Sequence, residues 1–228
     1  MFNGFSHETI DFLKDLKSNN TKSWFSAHRH IYDRYVFPES QSFVVAMGEK
    51  LSQIAPKIVA IPKTDKAIFR IYRDTRFSRD KKPYKTHLAI FLWEGERKKL
   101  ENSGFYFHID AEKLLLGVGI HTFSPEVLSI YRGRVVHRRH GPSLDRAIKT
   151  VQTNPSYVLG WKKYKKVPHG YDVDHPYADY LLYGGIGFLF EEKLPQTVFS
   201  TGLIDYCYDK FRDMAPIHDW LRDMVEGK

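Results

Sequence analysis

Residues 105–121 read FYFHIDAEKLLLGVGIH and contain the pattern that decides the fold. Two runs, Phe105–Ile109 and Leu114–His121, are rich in aromatic and aliphatic residues and alternate as β-strands do. The link between them, Asp110-Ala111-Glu112, is short. Because a short link places consecutive strands side by side in opposite directions, the two runs are predicted to form an antiparallel hairpin.

Further strands are predicted on both sides of this hairpin. The period-two pattern also occurs at Ile68–Arg73 and His87–Trp93, and Gly185–Phe190 adds one more run after the hairpin. With one exception the connections among the first four strands are short, which favours an antiparallel meander over a parallel sheet.

Capping residues and apolar spacing predict helices at both ends of the chain. They are expected from Ser6 to Leu16, after Thr21, from Pro38 to Ile54, after Ser124, from Pro142 to Asn154, at Ser200–Met214 and at Pro216–Val225. The sequence therefore predicts one α+β domain over residues 1–228, with a central antiparallel sheet packed against N-terminal and C-terminal helices.

Composition places the chain among basic, globular proteins. It has 228 residues, a net charge of +8 and 42% hydrophobic residues. The first residues lack the pattern of a signal peptide, and no apolar run approaches the ~20 residues of a membrane span. The lone Cys207 fits a reducing compartment. We therefore expect a cytoplasmic protein without membrane contact.

Strand alternation predicts that small and ring-bearing side chains share one face of the sheet. The face opposite the aliphatic one carries His87, Ala89, Tyr106, His108, Gly117, Gly119 and His121. Small residues with imidazole and phenol neighbours are typical of a ligand pocket. Alternatively, the glycines only admit a bulky neighbouring side chain. Both interpretations stay open at this point.

The segment Arg70–His87 carries the strongest concentration of charge. It contains seven cationic side chains and two carboxylates, a net charge of +5. Within it, Asp74 to Lys85 form a loop of twelve residues, and loops of that length usually bind something or are disordered. Like charges repel, so such a cluster needs carboxylates or a bound anion to neutralise it. The segment points to an anion site with Arg70 and Arg73 part-buried.

The first functional hypothesis is a pocket for a small ligand that carries phosphate or carboxylate groups. Its candidate binding residues are Arg70, Tyr72, Arg73, Arg76, Lys81, Tyr84, Lys85, His87, Tyr106 and His108. His108 is the candidate general acid or base, because an imidazole titrates near neutrality. Whether the protein is an enzyme stays open. No cofactor is expected, and a metal site at His87, His108 and His121 ranks below the anion site.

Two alternatives remain beside the pocket. In the first, Lys81, Lys82, Lys85 and the stretch 161–166 bind the backbone of a nucleic acid, since that stretch interleaves aromatic and cationic residues. In the second, the chain is an interaction protein whose arginines only bridge its own acidic residues.

Over nearly its full length the chain resembles an uncharacterised family known as domain of unknown function 2461. The resemblance rests above all on R-x-Y-R-D-x-R-F-S-x-D-K-x-P-Y-K at residues 70–85. It continues through Asn20 with Trp24-Phe25, Tyr106-x-His108, Gly117-x-Gly119, Pro125 with Leu128, and Pro168-x-Gly170-Tyr171-Asp172 with His175-Pro176. The resemblance implies a single α+β domain and carries no assigned activity. This sequence departs from the pattern at His169, where lysine is expected, and around Tyr183-Gly184-Gly185, where a basic residue is usual.

Overall fold

The fold is built on one antiparallel sheet, described here from a computed structural model that covers residues 1–227. Its strands within that range are β1 (Ile58–Val59), β2 (Leu88–Glu94), β3 (Gly104–Ile109), β4 (Lys113–Ile120), β5 (Val158–Lys162) and β6 (Tyr183–Lys193). Their order in the sheet is β1-β2-β3-β4-β6-β5. The first four strands thus follow one another as a meander, and β6 lies beside β4.

Helices precede and follow the sheet strands along the chain. Those of the described residues are α1 (His7–Ser18), α2 (Lys22–Ile31), α3 (Phe37–Leu51), α4 (Pro125–Val135), α5 (His140–Val151) and α6 (Leu203–Val225). A π-helical turn, Tyr32–Val36, joins α2 to α3. The predicted α+β class, with an antiparallel sheet and helices at both ends of the chain, is confirmed. No helix among residues 1–227 has the length and apolarity to cross a membrane.

Contacts within the chain divide it into two compact units, which are described separately. Unit 1 contains residues 1–92, 106–116 and 191–209, and unit 2 contains 93–105, 117–190 and the residues from 210 onward. The single domain over residues 1–228 stays a prediction.

Unit 1 has a core of aromatic rings. The Ser6 side chain accepts a hydrogen bond from Thr9 N and so caps α1, as predicted. Phe43 and Phe107 are fully buried with ring centroids 4.2 Å apart, and Phe5 stacks on Phe107 at 5.8 Å. Burying each such ring stabilises the fold by ~1.5–3 kcal/mol.

Unit 2 packs its core on the C-terminal helix. Phe105 contacts Phe211 and His218 of α6, with ring centroids 5.4 Å and 4.6 Å apart. The buried Tyr131 of α4 donates its hydroxyl proton to the carbonyl of Tyr180 at 2.9 Å. Buried hydroxyls need such a partner, because an unsatisfied polar group in the core is costly.

The prediction of a regular strand at Ile68–Arg73 was wrong. The segment makes only isolated bridges, from Ile68 to Thr64 and to Ile90, and from Tyr72 to Tyr84. Arg73 N donates to the Pro83 carbonyl at 2.9 Å, but Pro83 has no N–H to return the bond. The ladder therefore stops at this pair, and the antiparallel bridges at Ile68 and Tyr72 are two residues out of register with each other, so no continuous ladder joins them.

The predicted break between two C-terminal helices was also wrong. Helix α6 runs without interruption from Leu203 to Val225, with Pro216 inside it. Buried apolar residues lie on both sides of the proline, among them Met214 and Ile217. Because most helix stability in proteins comes from packing of an apolar face, burial here outweighs the local cost of the proline.

Candidate functional site

The loop between Asp74 and Lys85 is held by its own ion pairs. Arg73 Nη1 lies 2.7 Å from Asp80 Oδ2 and also donates to the Lys82 carbonyl at 3.1 Å. Arg76 Nη2 lies 2.7 Å from Asp74 Oδ2. The Arg76 guanidinium, through its hydrogen bonds, lowers the pKa of the Asp74 carboxyl to about 2. These arginines therefore have partners within the folded loop.

The remaining cationic side chains of the loop differ in whether they have a hydrogen-bond partner. Lys81 Nζ donates to the Thr75 carbonyl at 3.0 Å. The side chains of Arg70, Arg79 and Lys82 have no hydrogen bond or ion pair to any of residues 1–227. Arg70 is exposed, so the expectation that it would be part-buried was wrong, whereas Arg73 is part-buried.

The end of the loop is anchored to the N-terminal helices. Asn20 Nδ2 donates to the Tyr84 carbonyl at 2.9 Å, and Tyr84 N donates to Asn20 Oδ1 at 3.0 Å. Phe25 stacks on the buried Tyr84 ring with centroids 4.2 Å apart, and Tyr72 contacts the same ring at 5.3 Å. Tyr72 and Tyr84, both candidate ligand residues, thus contribute to the packing of the loop.

Three of the predicted face residues lie in contact within unit 1. The rings of His87 and His108 stack with centroids 4.2 Å apart. The Tyr106 hydroxyl is hydrogen-bonded to His108 Nδ1 at 3.1 Å. His108 Nε2 is buried, has no hydrogen-bond partner among the described residues, and lies 3.9 Å from Asp110 Oδ2. A buried nitrogen of this kind is a place where a ligand or water would be stabilised.

Burial and neighbouring cations keep the imidazole pair neutral. Desolvation, followed by the nearby His108 and Lys85, lowers the pKa of His87 to about 4. Desolvation also lowers the pKa of His108, although Asp110 acts in the opposite direction. Burial raises the pKa of Tyr106 to about 12. Near pH 7 the cluster therefore contains two neutral imidazoles and one neutral phenol.

Lys85 adds a positive charge beside this cluster. Its ammonium lies over the Phe69 ring, 5.2 Å from the centroid. Burial lowers the pKa of Lys85, and the neighbouring Arg70 lowers it further, against a weaker opposing effect of Asp65. Among residues 1–227 no carboxylate forms an ion pair with Lys85.

His121 and the strand glycines have different neighbours, all in unit 2. The His121 ring contacts Trp161 edge-on with centroids 5.0 Å apart. A Cβ on Gly187 would lie 2.6 Å from the Trp161 ring. Gly119 has φ +140°, and a Cβ there would lie 2.4 Å from the Ile186 carbonyl oxygen. Close approach of neighbouring groups thus explains these glycines, while the pocket itself stays a prediction.

Part of the basic aromatic stretch 161–166 makes contacts within unit 2. Trp161 and Lys162 belong to β5, and Trp161 has φ +74°. Lys162 Nζ pairs with Asp179 Oδ1 at 2.6 Å. Lys165 and Lys166 are exposed. Within residues 1–227 no group of three or more His, Cys, Asp or Glu side chains is arranged to hold a metal ion.

A buried polar cluster in unit 2 was missed by the sequence reasoning. His218 Nδ1 lies 3.0 Å from Ser103 Oγ and its Nε2 lies 3.1 Å from Glu94 Oε2, while Arg222 Nη1 approaches the same carboxylate at 3.4 Å. The residue types match a serine hydrolase triad, but there the serine contacts Nε2 and the acid contacts Nδ1. Both His218 and Ser103 are 0% exposed. The cluster is therefore structural, and the available signal was a charged residue at the end of an apolar strand.

Comparison with known proteins supports the family resemblance. No curated protein is a significant match to the chain. The profile of a conserved hypothetical protein family, DUF2461, matches residues 8–220 of the 228. The match covers most of α1, most of α6 and all the elements between them. The chain belongs to the conserved hypothetical protein family DUF2461.

Proposed function

We propose that the protein binds a small ligand with phosphate or carboxylate groups at the Lys85 surface. This surface consists of Arg70, Lys85, His87, Tyr106 and His108, all in unit 1. These residues are the members of the predicted site that include its two cationic side chains without an ion pair or hydrogen bond to any of residues 1–227, Arg70 and Lys85. Arg73, Arg76 and Lys81 are left out, because their bonds within the loop already satisfy them.

The state of Lys85 is the observation that carries the proposal. A half-buried ammonium with a lowered pKa has lost hydration without gaining an ion pair, and Arg70 adds repulsion. Such a charge is costly unless it is neutralised. A bound anion would supply the missing partner, and a charge-assisted hydrogen bond contributes ~1.5–3 kcal/mol.

His108 also favours ligand binding at the Lys85 surface, and it could take part in proton transfer there. A ligand oxygen or hydroxyl at Nε2 would satisfy a buried nitrogen that has no other partner among the described residues. The Tyr106 hydroxyl fixes the orientation of the ring through Nδ1. A neutral, oriented imidazole can accept or donate a proton, so His108 remains the candidate general acid or base if the ligand is a substrate.

A thermal-shift screen tests the proposal directly. The ligands are inorganic phosphate, nucleotides, sugar phosphates and dicarboxylates, and the variants are Lys85→Met and Lys82→Met. Lys82 is an exposed, unpaired lysine of the same loop and so provides a matched control. We expect one ligand class to raise the melting temperature, and its affinity to fall by about tenfold or more in Lys85→Met alone.

Two results would contradict the Lys85 surface. If no small anion stabilises the protein, the surface has no such ligand. If Lys85→Met and Lys82→Met weaken binding equally, the anion responds only to the overall charge of the chain. Arg73→Ala adds a further check, because it is expected to loosen the loop by losing the Asp80 pair even without ligand.

Binding of single-stranded nucleic acid is a second candidate function, favoured by Phe77. Its side chain is 96% exposed in the loop, between the exposed Arg76 and the unpaired Arg79. A ring displayed among cations can stack on a base while the cations contact phosphates, and each stacked base contributes ~1–3 kcal/mol. One ring is too little apolar area for the core of a stable protein interface.

A salt titration with a labelled oligothymidine tests this second function. Phe77→Ala should weaken binding at every salt concentration, because stacking is lost. Replacing Arg79 and Lys82 with glutamine should reduce the salt slope by ~1.4, since each phosphate contact on a single strand contributes ~0.7. If none of the replacements at Phe77, Arg79 and Lys82 changed the affinity or the salt slope, the loop would be excluded as a nucleic-acid contact.

A further inference from the structure

The connection between α4 and α5 is a second concentration of positive charge, separate in sequence from the loop. Residues 132–140 read RGRVVHRRH, with four arginines, two histidines and no acidic residue. They belong to unit 2. The arginines near the end of α4 are favoured by its helix dipole, but Arg138 and Arg139 lie at the start of α5, where the dipole disfavours cations. Helix electrostatics therefore leave the second pair of arginines unexplained.

An open depression lies on this connection. Its volume is about 450 Å³, and it is lined by Ser129, Ile130, Gly133, Arg134, His137 and His140. A volume of this size falls within the range of small-molecule sites. None of the lining residues is acidic, and the neighbouring Arg138 and Arg139 are exposed.

The side chains in and beside the depression include more cationic than acidic groups. Arg134 Nη1 donates to His140 Nε2 at 2.7 Å, so that ring accepts a hydrogen bond in its neutral form. Burial lowers the pKa of His140, and Arg134, His137 and Arg139 lower it further. Arg138 and Arg139 form no ion pair with any of residues 1–227.

Two acidic residues of the neighbouring helices already have partners. Asp223 of α6 lines a neighbouring depression together with Arg134 and His140, and it pairs with Arg222 Nη2 at 3.0 Å. Asp145 of α5 pairs with Lys149 at 2.7 Å. The positive charge of Arg138 and Arg139 is therefore available to a ligand.

Gly133 provides an independent reason to expect a ligand. It lies in the last turn of α4, and glycine within a helix is destabilising relative to alanine. A Cβ at this position would meet nothing within 4 Å, and the backbone does not adopt a positive φ there. Neither packing nor backbone geometry in the folded chain requires this glycine. A ligand that approaches the helix surface closely would require it.

We propose that this depression binds an oligophosphate, a di- or triphosphate group. Gly133 lets the phosphates approach α4, and Ser129 and His137 line the depression as hydrogen-bonding groups. Arg138 and Arg139 supply charge through flexible side chains that can form bidentate bonds to phosphate oxygens. Several cations in a row favour a multiply charged anion over a single carboxylate. The proposal does not rest on the Lys85 surface.

The test is calorimetric titration of the full chain with sodium tripolyphosphate. The first variant replaces Arg138 and Arg139 with glutamine, and the control replaces Lys14 and Lys22, two exposed lysines outside the loop, with glutamine. Both remove two exposed, unpaired positive charges, so their effects on net charge match. We expect the first variant to lower the affinity by about tenfold or more and the control to change it by no more than about twofold.

Gly133→Ala separates this site from charge effects, because it removes no charge. We expect it to raise the melting temperature without tripolyphosphate, since alanine favours the helix, and to weaken tripolyphosphate binding by filling the depression. Lack of binding at millimolar tripolyphosphate would overturn the proposal. So would equal losses in the two double variants, or a Gly133→Ala protein with full affinity. Loss of binding in Lys85→Met instead would assign the anion to the other surface.

Discussion

Burial of the His87 ring should make stability depend on pH. The ring has a pKa of about 4 in the folded chain, against about 6.5 for an unperturbed histidine. Between these values the unfolded chain binds more protons, so the free energy of unfolding falls as the pH falls through this window. Allowing for the partial exposure of the ring, we expect a loss of ~1–2 kcal/mol from pH 7 to pH 4.5.

Urea unfolding at several pH values measures this effect. The His87→Gln protein should lose part of the decrease in stability below pH 6.5, because glutamine does not titrate. His30→Gln, at an exposed position of α2, serves as the control and should keep the wild-type pH profile. Identical profiles for the wild type and His87→Gln would contradict the assignment of the titration to this ring.

The buried pair of Glu94 and His218 should be coupled energetically. Replacing His218 with leucine removes one partner of the Glu94 carboxylate, which is 2% exposed and also lies 3.4 Å from Arg222 Nη1. Breaking a buried pair costs ~3 kcal/mol or more, because a desolvated charge loses its partner. The double variant Glu94→Leu, His218→Leu should cost less than the sum of the single variants. Urea midpoints of the four proteins measure the coupling, and strict additivity would refute it.

At the scale of elements, Asn20 should control the attachment of the loop to the helices. Asn20→Ala removes two hydrogen bonds and leaves the Tyr84 backbone without partners, at an expected cost of ~2–3 kcal/mol. The variant should also be cut faster by trypsin after Arg76, Arg79 or Lys81. The control is Asn19→Ala, which loses only an exposed bond to the Asp15 carbonyl. Equal stability and equal cleavage rates in the two variants would show that Asn20 does not anchor the loop.

The hairpin was predictable from sequence because one of its faces is buried. Alternation placed its strands at 105–109 and 114–121, and the structure has them at Gly104–Ile109 and Lys113–Ile120. The same alternation grouped His87, Tyr106 and His108, which are in contact. At 68–73 the pattern was equally good, but its two antiparallel bridges are out of register and Pro83 on the opposing segment ends the ladder at Arg73. The residue pattern identifies the apolar face of a segment. A regular strand also needs an opposing segment whose backbone N–H groups can donate hydrogen bonds.

Contacts that depend on the three-dimensional path of the chain limited the prediction of the site. Whether Arg73 and Arg76 meet a ligand or Asp80 and Asp74 depends on how the loop closes, which composition does not specify. His218 and Glu94 are 124 positions apart, so no local signal joins them. Asn20 stood out only as part of the family resemblance, and its bonds to Tyr84 give that position a structural reason.

At the scale of the whole molecule, the two compact units are interleaved along the chain. Unit 1 is completed only by residues 106–116 and 191–209, which follow segments of unit 2. Phe107, from the second segment, stacks on Phe5 and contacts the Phe43 ring in the core of unit 1. A single cut therefore cannot release either unit as one continuous piece.

A fragment of residues 1–92 should consequently fail to fold. It contains α1, α2 and α3 but lacks Phe107, and losing a buried phenylalanine side chain alone costs ~3–5 kcal/mol. That is a large part of the stability of an ordinary domain, before the loss of β3 and β4 is counted. We expect poorly dispersed NMR amide signals and no cooperative urea transition, with the full chain as the control. A cooperative transition in the fragment would mean that the N-terminal helices fold without the strand residues of unit 1, and Phe107 would then be dispensable to that core.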